Sequence, residues 1–326
     1  MKKIILLSAA IALVFLAINP FTACKKKDGV YRPKEKISKI YYEDIRYDST
    51  ERNIDSSYEG TKRLQEIWRW DKKKLMQIES SDRAWSWDFI YKGKQCIKIE
   101  SGDMTIDFSY RDKSELDKIE MFDEQGRQIL TVTVNGRDGD KISRLTYLLY
   151  SYPETQKKMT DIVSELQPVM RVVLGDIVGD AILSDISSSS KRHKVTSSIV
   201  TVDITYQGNN VATAKWTHGN NVPVTYTYSY DNKVNPYYRA ISLMATWDGY
   251  NVLTPSTTYN LFPCSENNVI SFQQKIDTAI TATTTNYKYE YNSEDFPTKV
   301  IKKYEGRLSN GAKYIDHYIY YYEYVD

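Results

Sequence analysis

Cysteine, histidine and surplus charge are all scarce in this chain of 326 residues, and each shortage excludes something. The three cysteines, Cys24, Cys96 and Cys264, form no Cys-x-x-Cys pair, and the three histidines, His193, His218 and His317, stand far from one another. Neither a zinc framework nor a His-Glu-x-x-His helix can be built locally from such spacing, so no metal and no cofactor is expected. Lys and Arg total 44 against 42 for Asp and Glu, which leaves too little basic excess to displace the counterions of a nucleic acid. There is no Gly-x-Ser-x-Gly elbow and no Gly-x-x-x-x-Gly-Lys phosphate loop. The chain Asn135-Gly136-Arg137-Asp138-Gly139-Asp140 has the look of a calcium loop, but Ile142 stands where an oxygen ligand belongs, and a hairpin turn is the better reading. A non-enzymatic protein is expected.

What is present begins at the N-terminus. Met1-Lys2-Lys3 is a short positive region, Ile4 to Ile18 is apolar apart from Ser8, and Asn19-Pro20 breaks the run ahead of Phe21-Thr22-Ala23-Cys24. The run is too short and too close to the start to span a bilayer, and reads as a secretory signal over 1–23. Ala23 before Cys24 resembles the bacterial lipobox, which implies acylation of the Cys24 thiol and a partner in membrane lipid. Acyl chains contribute about 0.8 kcal/mol per buried methylene and hold a protein without any spanning segment. The polar stretch 24–36 reads as a flexible tether, and the location implied is the outer membrane, on either its periplasmic or its cell-surface face. Once Lys2 and Lys3 leave with the signal, basic and acidic side chains balance at 42 each. Cys96 and Cys264 lie in different halves of the chain and are expected to stay unpaired, each a small buried apolar residue.

The body is patterned for strands. Over 37–153, short alternating runs such as Trp68-x-Trp70, Phe89-x-Tyr91 and Phe108-x-Tyr110 are separated by charged or Gly-containing turns, and the unit recurs every twenty residues or so. That is an antiparallel meander. Over 191–326 the theme returns with more tyrosine: Tyr226, Tyr228 and Tyr230 share one strand face, as do Tyr287, Tyr289 and Tyr291, and Tyr318, Tyr320, Tyr322 and Tyr324. One face is ring-lined and the other wet. Between the halves, over 154–190, Met159, Ile162, Val163, Leu166, Val169, Met170 and Val173 recur at three and four, which predicts a helical segment lying over the aromatic face of the sheet. The fold expected is mainly β, a curved antiparallel meander sheet or partial barrel with a central helical segment.

Two sets of residues carry a resemblance. Phe122-Asp123-Glu124-Gln125-Gly126-Arg127 resembles a tyrosine-aspartate repeat, a hairpin unit of large β shells. Tyr228-Ser229-Tyr230-Asp231-Asn232-Lys233-Val234-Asn235-Pro236-Tyr237-Tyr238, with Asn267-Asn268 and then Tyr287 to Lys299, is similar to Bacteroidales lipoproteins that carry a domain of unknown function of porin-like fold. The resemblance implies an extended, curved antiparallel sheet and supplies no catalytic residues. Function therefore has to be sought on surfaces. Trp68 with Trp70, and Trp85 with Trp87, each fall on one strand face and form a candidate aromatic surface for a glycan or protein ligand, with packing inside the core as the competing reading. A carrier or shield for an apolar ligand, closed by the helical segment, is the alternative.

Overall fold

The computed structural model describes residues 28–48, 60–83, 86–102, 104–151, 196–219, 222–240, 264–276, 283–307 and 313–325. Sixteen strands follow in chain order: β1 (Ile37–Asp48), β2 (Arg63–Asp71), β3 (Lys74–Ser80), β4 (Ser86–Lys92), β5 (Gln95–Ser101), β6 (Met104–Arg111), β7 (Glu115–Asp123), β8 (Gln128–Asp138), β9 (Lys141–Ser151), β10 (Thr196–Gln207), β11 (Asn210–His218), β12 (Val224–Val234), β13 (Asn267–Ile276), β14 (Thr283–Tyr291), β15 (Pro297–Arg307) and β16 (Lys313–Tyr324). Each pairs antiparallel with its neighbours in sequence, and β16 returns to β1, with Ile40 opposite Tyr322 and Tyr42 opposite Tyr320. The sheet is a closed barrel in strict meander order. Both halves of the chain belong to it, joined where β9 pairs β10 from Asp203 opposite Arg144 to Thr196 opposite Ser151.

The period-two pattern explains which way each strand faces. On β4, Trp87 and Phe89 are buried while Asp88, Ile90 and Lys92 are exposed; on β14, Tyr287 is buried while Asn286, Lys288 and Glu290 are exposed. Ile40, Trp68, Ile78, Ile99, Ile106, Leu145, Val202, Trp216, Tyr226 and Phe272 join one continuous cluster. A wide sixteen-strand barrel leaves room for an aqueous lumen. Here inward side chains are packed away from water: Val202, Ala214, Trp216 and Tyr226 are at most 1% exposed.

This corrects the expected architecture. The sheet is closed rather than a partial barrel, and no α-helix occurs among the described residues. The segment 154–190, where a central helix was expected, lies outside the described residues. The physical reason is that the ring faces do not need an outside cover. Closing the sheet turns them on one another, as when Trp216 meets Tyr147 at 5.6 Å and Tyr226 at 6.5 Å between ring centroids.

A second difference concerns the tether. From Asp28 onward the chain is packed: Asp28 and Tyr31 are buried, and the segment crosses one end of the barrel before entering β1. Asp28 N–H donates to Ser114 O at 2.8 Å and Cys96 N–H to Gly29 O at 3.0 Å.

Candidate functional site

The plugged end is where the chain concentrates its chemistry. Tight hairpins turn here between β2 and β3, β4 and β5, β8 and β9, and β10 and β11, with Lys72, Gly93, Gly139 and Gly208 each at positive φ. In each of these, and in the β6–β7 and β14–β15 hairpins, the register slips by one residue as the turn is approached, leaving an outward bulge at Met76, Ile97, Asp117, Ser143, Ala212 or Thr298. A bulge interrupts the ladder, and a carbonyl beside it that faces the core needs another donor.

Ring donors from the neighbouring hairpin supply it. Tyr91 Oη donates to Leu75 O at 2.7 Å, Tyr110 Oη to Cys96 O at 2.5 Å, Tyr206 Oη to Ile142 O at 2.8 Å, Tyr289 Oη to Val269 O at 2.7 Å and Tyr324 Oη to Pro297 O at 2.7 Å. Trp70 Nε1 does the same for Ile37 O at 2.7 Å. On β8 the position belongs to Arg137, whose guanidinium donates to Leu116 O at 2.9 Å and also to Asp28 Oδ2 at 2.6 Å. The rim thus carries a belt of buried donors, and burial holds the phenols of Tyr91, Tyr110, Tyr206 and Tyr324 well above their ordinary range.

The same rim collects the motif that carried the family resemblance. Asp231 Oδ1 accepts from Lys233 N at 2.9 Å and from Asn268 N at 3.2 Å, and Asp231 Oδ2 accepts from Tyr291 Oη. Asn235 donates to Ser265 O at 2.8 Å and accepts from Tyr237 N at 2.9 Å. Asn267 and Asn268 donate to Lys233 O and Val234 O. These residues shape the connection after β12 so that Pro236 and Tyr237 fold back over the barrel end, where Tyr31 Oη donates to Pro236 O at 2.5 Å. Apart from the bond from Tyr291, their hydrogen bonds go to the backbone of the connection.

Between the plug, the β4–β5 turn and this connection lies an open cleft of about 930 Å³. Its wall includes Arg32, Lys34, Lys92, Lys94 and Arg239, together with Gln95, Tyr238 and Phe296, and holds no carboxylate among the described residues. Lys34 pairs with Glu294, and Arg239 reaches Asp140 at 3.6 Å. Arg32, Lys92 and Lys94 are exposed and make no ion pair among the described residues. Nothing in the linear sequence marked this cleft, because Arg32 and Lys94 come together only when the N-terminal segment lies across the turn.

The tryptophans fall elsewhere. Trp68 and Trp87 are each 3% exposed, so the packing alternative holds for both. Trp68 Nε1 donates to the buried Glu66 at 2.8 Å, and its ring stacks on Trp70 at 6.4 Å between centroids. Trp70 is half-buried in the rim belt, and Trp85 and Cys24 lie outside the described residues. Cys96 and Cys264 are unpaired, and burial pushes both thiols up to about 12. The Arg137-Asp138-Gly139-Asp140 stretch forms the expected hairpin turn into β9. A ring pair does reach the outer wall at the closure seam, where Tyr41 and Tyr321 are register partners and Lys62 Nζ sits 4.3 and 4.7 Å from their ring centroids.

The outer wall is polar. Asp88, Ser109, Arg111, Lys215, Thr227, Ser229, Lys288 and Glu290 point outward, and ion pairs such as Arg144 with Asp203 at 2.5 Å and Lys98 with Glu100 at 3.1 Å cross it. A lipid-facing barrel has the opposite arrangement, with an apolar outer band and a polar lumen.

The chain is similar to porin-like proteins of Bacteroides. One, from Bacteroides uniformis, matches with a TM-score of 0.36 at 10% identity, over 89% of this chain and 98% of that one. Another, from Bacteroides vulgatus, matches with a TM-score of 0.29 at 10% identity, over 87% and 98%. The TcdB2–TccC3 structure matches with a TM-score of 0.30 at 12% identity, over 83% of this chain and 13% of that one. No family model matches the chain, and no curated protein does.

Proposed function

We propose that the chain is a lipid-anchored protein of the bacterial envelope whose barrel works in water as a binding or structural body, and neither as a pore nor as an enzyme. The observation that carries this reading is the polarity of the wall, with rings inside and charges outside. A lumen filled by Trp216, Tyr226 and Phe272 has no path for solutes, and an outer face bearing Lys288 and Glu290 has no affinity for hydrocarbon. The lipobox-like Ala23-Cys24 supplies the anchor, and the outer membrane is the destination its signal implies. Filling of the inner face by its own side chains also leaves the apolar-carrier alternative without support among the described residues.

Metabolic palmitate labelling of cells expressing the wild type and Cys24→Ala tests the anchor: label on the first alone is expected, and equal label on both removes it. Protease treatment of intact cells then separates the surface face from the periplasmic one. Recognition of a glycan or protein falls to the outer wall, where Tyr41 and Tyr321 stand side by side with Lys62 over their rings. Affinity electrophoresis through envelope polysaccharide reads it. Retardation that disappears in Tyr41→Ala/Tyr321→Ala supports glycan recognition there, and equal mobility of both chains with and without polysaccharide removes it.

A further inference from the structure

We infer that the cationic cleft at the plugged end is a seat for the anionic headgroups of the membrane that anchors the chain. The inference rests on acylation at Cys24 and adds the orientation and the lipid chemistry. Asp28 is fixed inside the plugged end, where its carboxylate accepts from Leu116 N at 2.7 Å as well as from Arg137. Only Lys25, Lys26 and Lys27 lie between it and Cys24, and an extended chain spans at most roughly 14 Å from one to the other. An acylated Cys24 therefore draws this end, and not the side wall or the far end, to within a short distance of the bilayer.

What the cleft presents is positive. Arg32, Lys92 and Lys94 stand exposed in the cleft without acidic partners among the described residues, Lys72 and Lys73 tip the adjacent β2–β3 hairpin, and Lys25, Lys26 and Lys27 occupy the link itself. The distance to the lipid surface is comparable with the Debye length of about 8 Å at physiological ionic strength, so these charges are felt there. The cleft, about 930 Å³ in volume, has room for a phosphate-bearing headgroup, and Arg32, Lys92 and Lys94 all line it. At the far end the described β7–β8 turn carries Asp123, which accepts from Arg127, and Glu124.

The test uses the chain from Lys25 onward, since the closed sheet, its core and its plug are all made by residues from Asp28 on. Without acyl groups this chain is expected to co-sediment with vesicles of phosphatidylglycerol and phosphatidylcholine and not with phosphatidylcholine alone. Arg32→Gln/Lys92→Gln/Lys94→Gln is expected to weaken that binding roughly a hundredfold. Arg63→Gln/Lys215→Gln/Lys288→Gln removes the same charge from the barrel wall and is expected to leave most of it. Equal losses in the two triple variants, or no preference for the anionic vesicles, overturn the inference. Saturable binding of inorganic phosphate that abolishes vesicle binding at constant ionic strength assigns the cleft to a small anion and overturns it as well. Palmitate labelling at Cys24 is read separately, so a failed anchor and a failed headgroup seat give different results.

Discussion

Gly29 shows how one residue fixes the plug. Its φ is +71°, and an added Cβ would lie 2.1 Å from Tyr110 Oη, the hydroxyl that caps Cys96 O. Gly29→Ala is expected to cost about 2 to 3 kcal/mol in urea unfolding, from the left-handed backbone and the overpacked ring together. The two thiols give a second reading at this scale. With both pushed up to about 12 by burial, Cys96 and Cys264 are expected to react with a maleimide or disulfide reagent far more slowly in the native chain than in denaturant. Rapid labelling of both in the folded protein would contradict their placement. Cys96 and Ile99, three positions apart, share the inner face only because of the bulge at Ile97, which alternation does not reveal, and the role of Gly29 was hidden too, because its partner ring is far along the chain.

At the scale of elements, the rim belt and the plug latch make separate predictions. Tyr91→Phe, Tyr110→Phe and Tyr206→Phe each leave a buried carbonyl beside a bulge without its donor, and each is expected to cost about 1 kcal/mol, while Tyr41→Phe on the outer wall is expected to cost little. Equal effects at inner and outer positions would deny the belt. Arg137→Met strands Asp28 in a site where its carboxylate is 4% exposed, at an expected cost of about 3 to 5 kcal/mol, and Asp28→Asn/Arg137→Met should recover part of it. Strands, turns and faces were legible here from period and turn residues alone: Tyr226, Tyr228 and Phe89 point where alternation put them. The packed plug was not, since Asp28 to Lys36 is polar with Gly and Pro, and its order comes from contacts with Ser114, Arg137 and Pro236. Trp68 and Trp70 share a face as expected, but which face meets water depends on the closure of the sheet.

For the whole molecule, closure decides both stability and use. Sixteen strands in meander order leave no unpaired edge, because β1 and β16 seal each other along their length. The price is a core rich in phenols that must stay protonated. Burial raises Tyr31, Tyr230, Tyr237, Tyr289 and Tyr322 above the ordinary phenol value, so the folded chain holds those protons after the unfolded chain has released them. Stability is therefore complete below about pH 10 and falls as pH rises beyond it, and alkaline unfolding should coincide with tyrosinate absorbance in one transition. Gradual ionisation without unfolding would mean the rings are wet. A meander was readable from the recurring hairpins, but a repeat fixes only neighbours, and nothing in a local pattern says that the last strand meets the first. The central claim is that the barrel is filled and faces water, and sedimentation velocity of the chain from Lys25 onward in detergent-free buffer tests it most directly. The account predicts one monodisperse species, and a chain that stays in solution only when detergent covers its wall would contradict it.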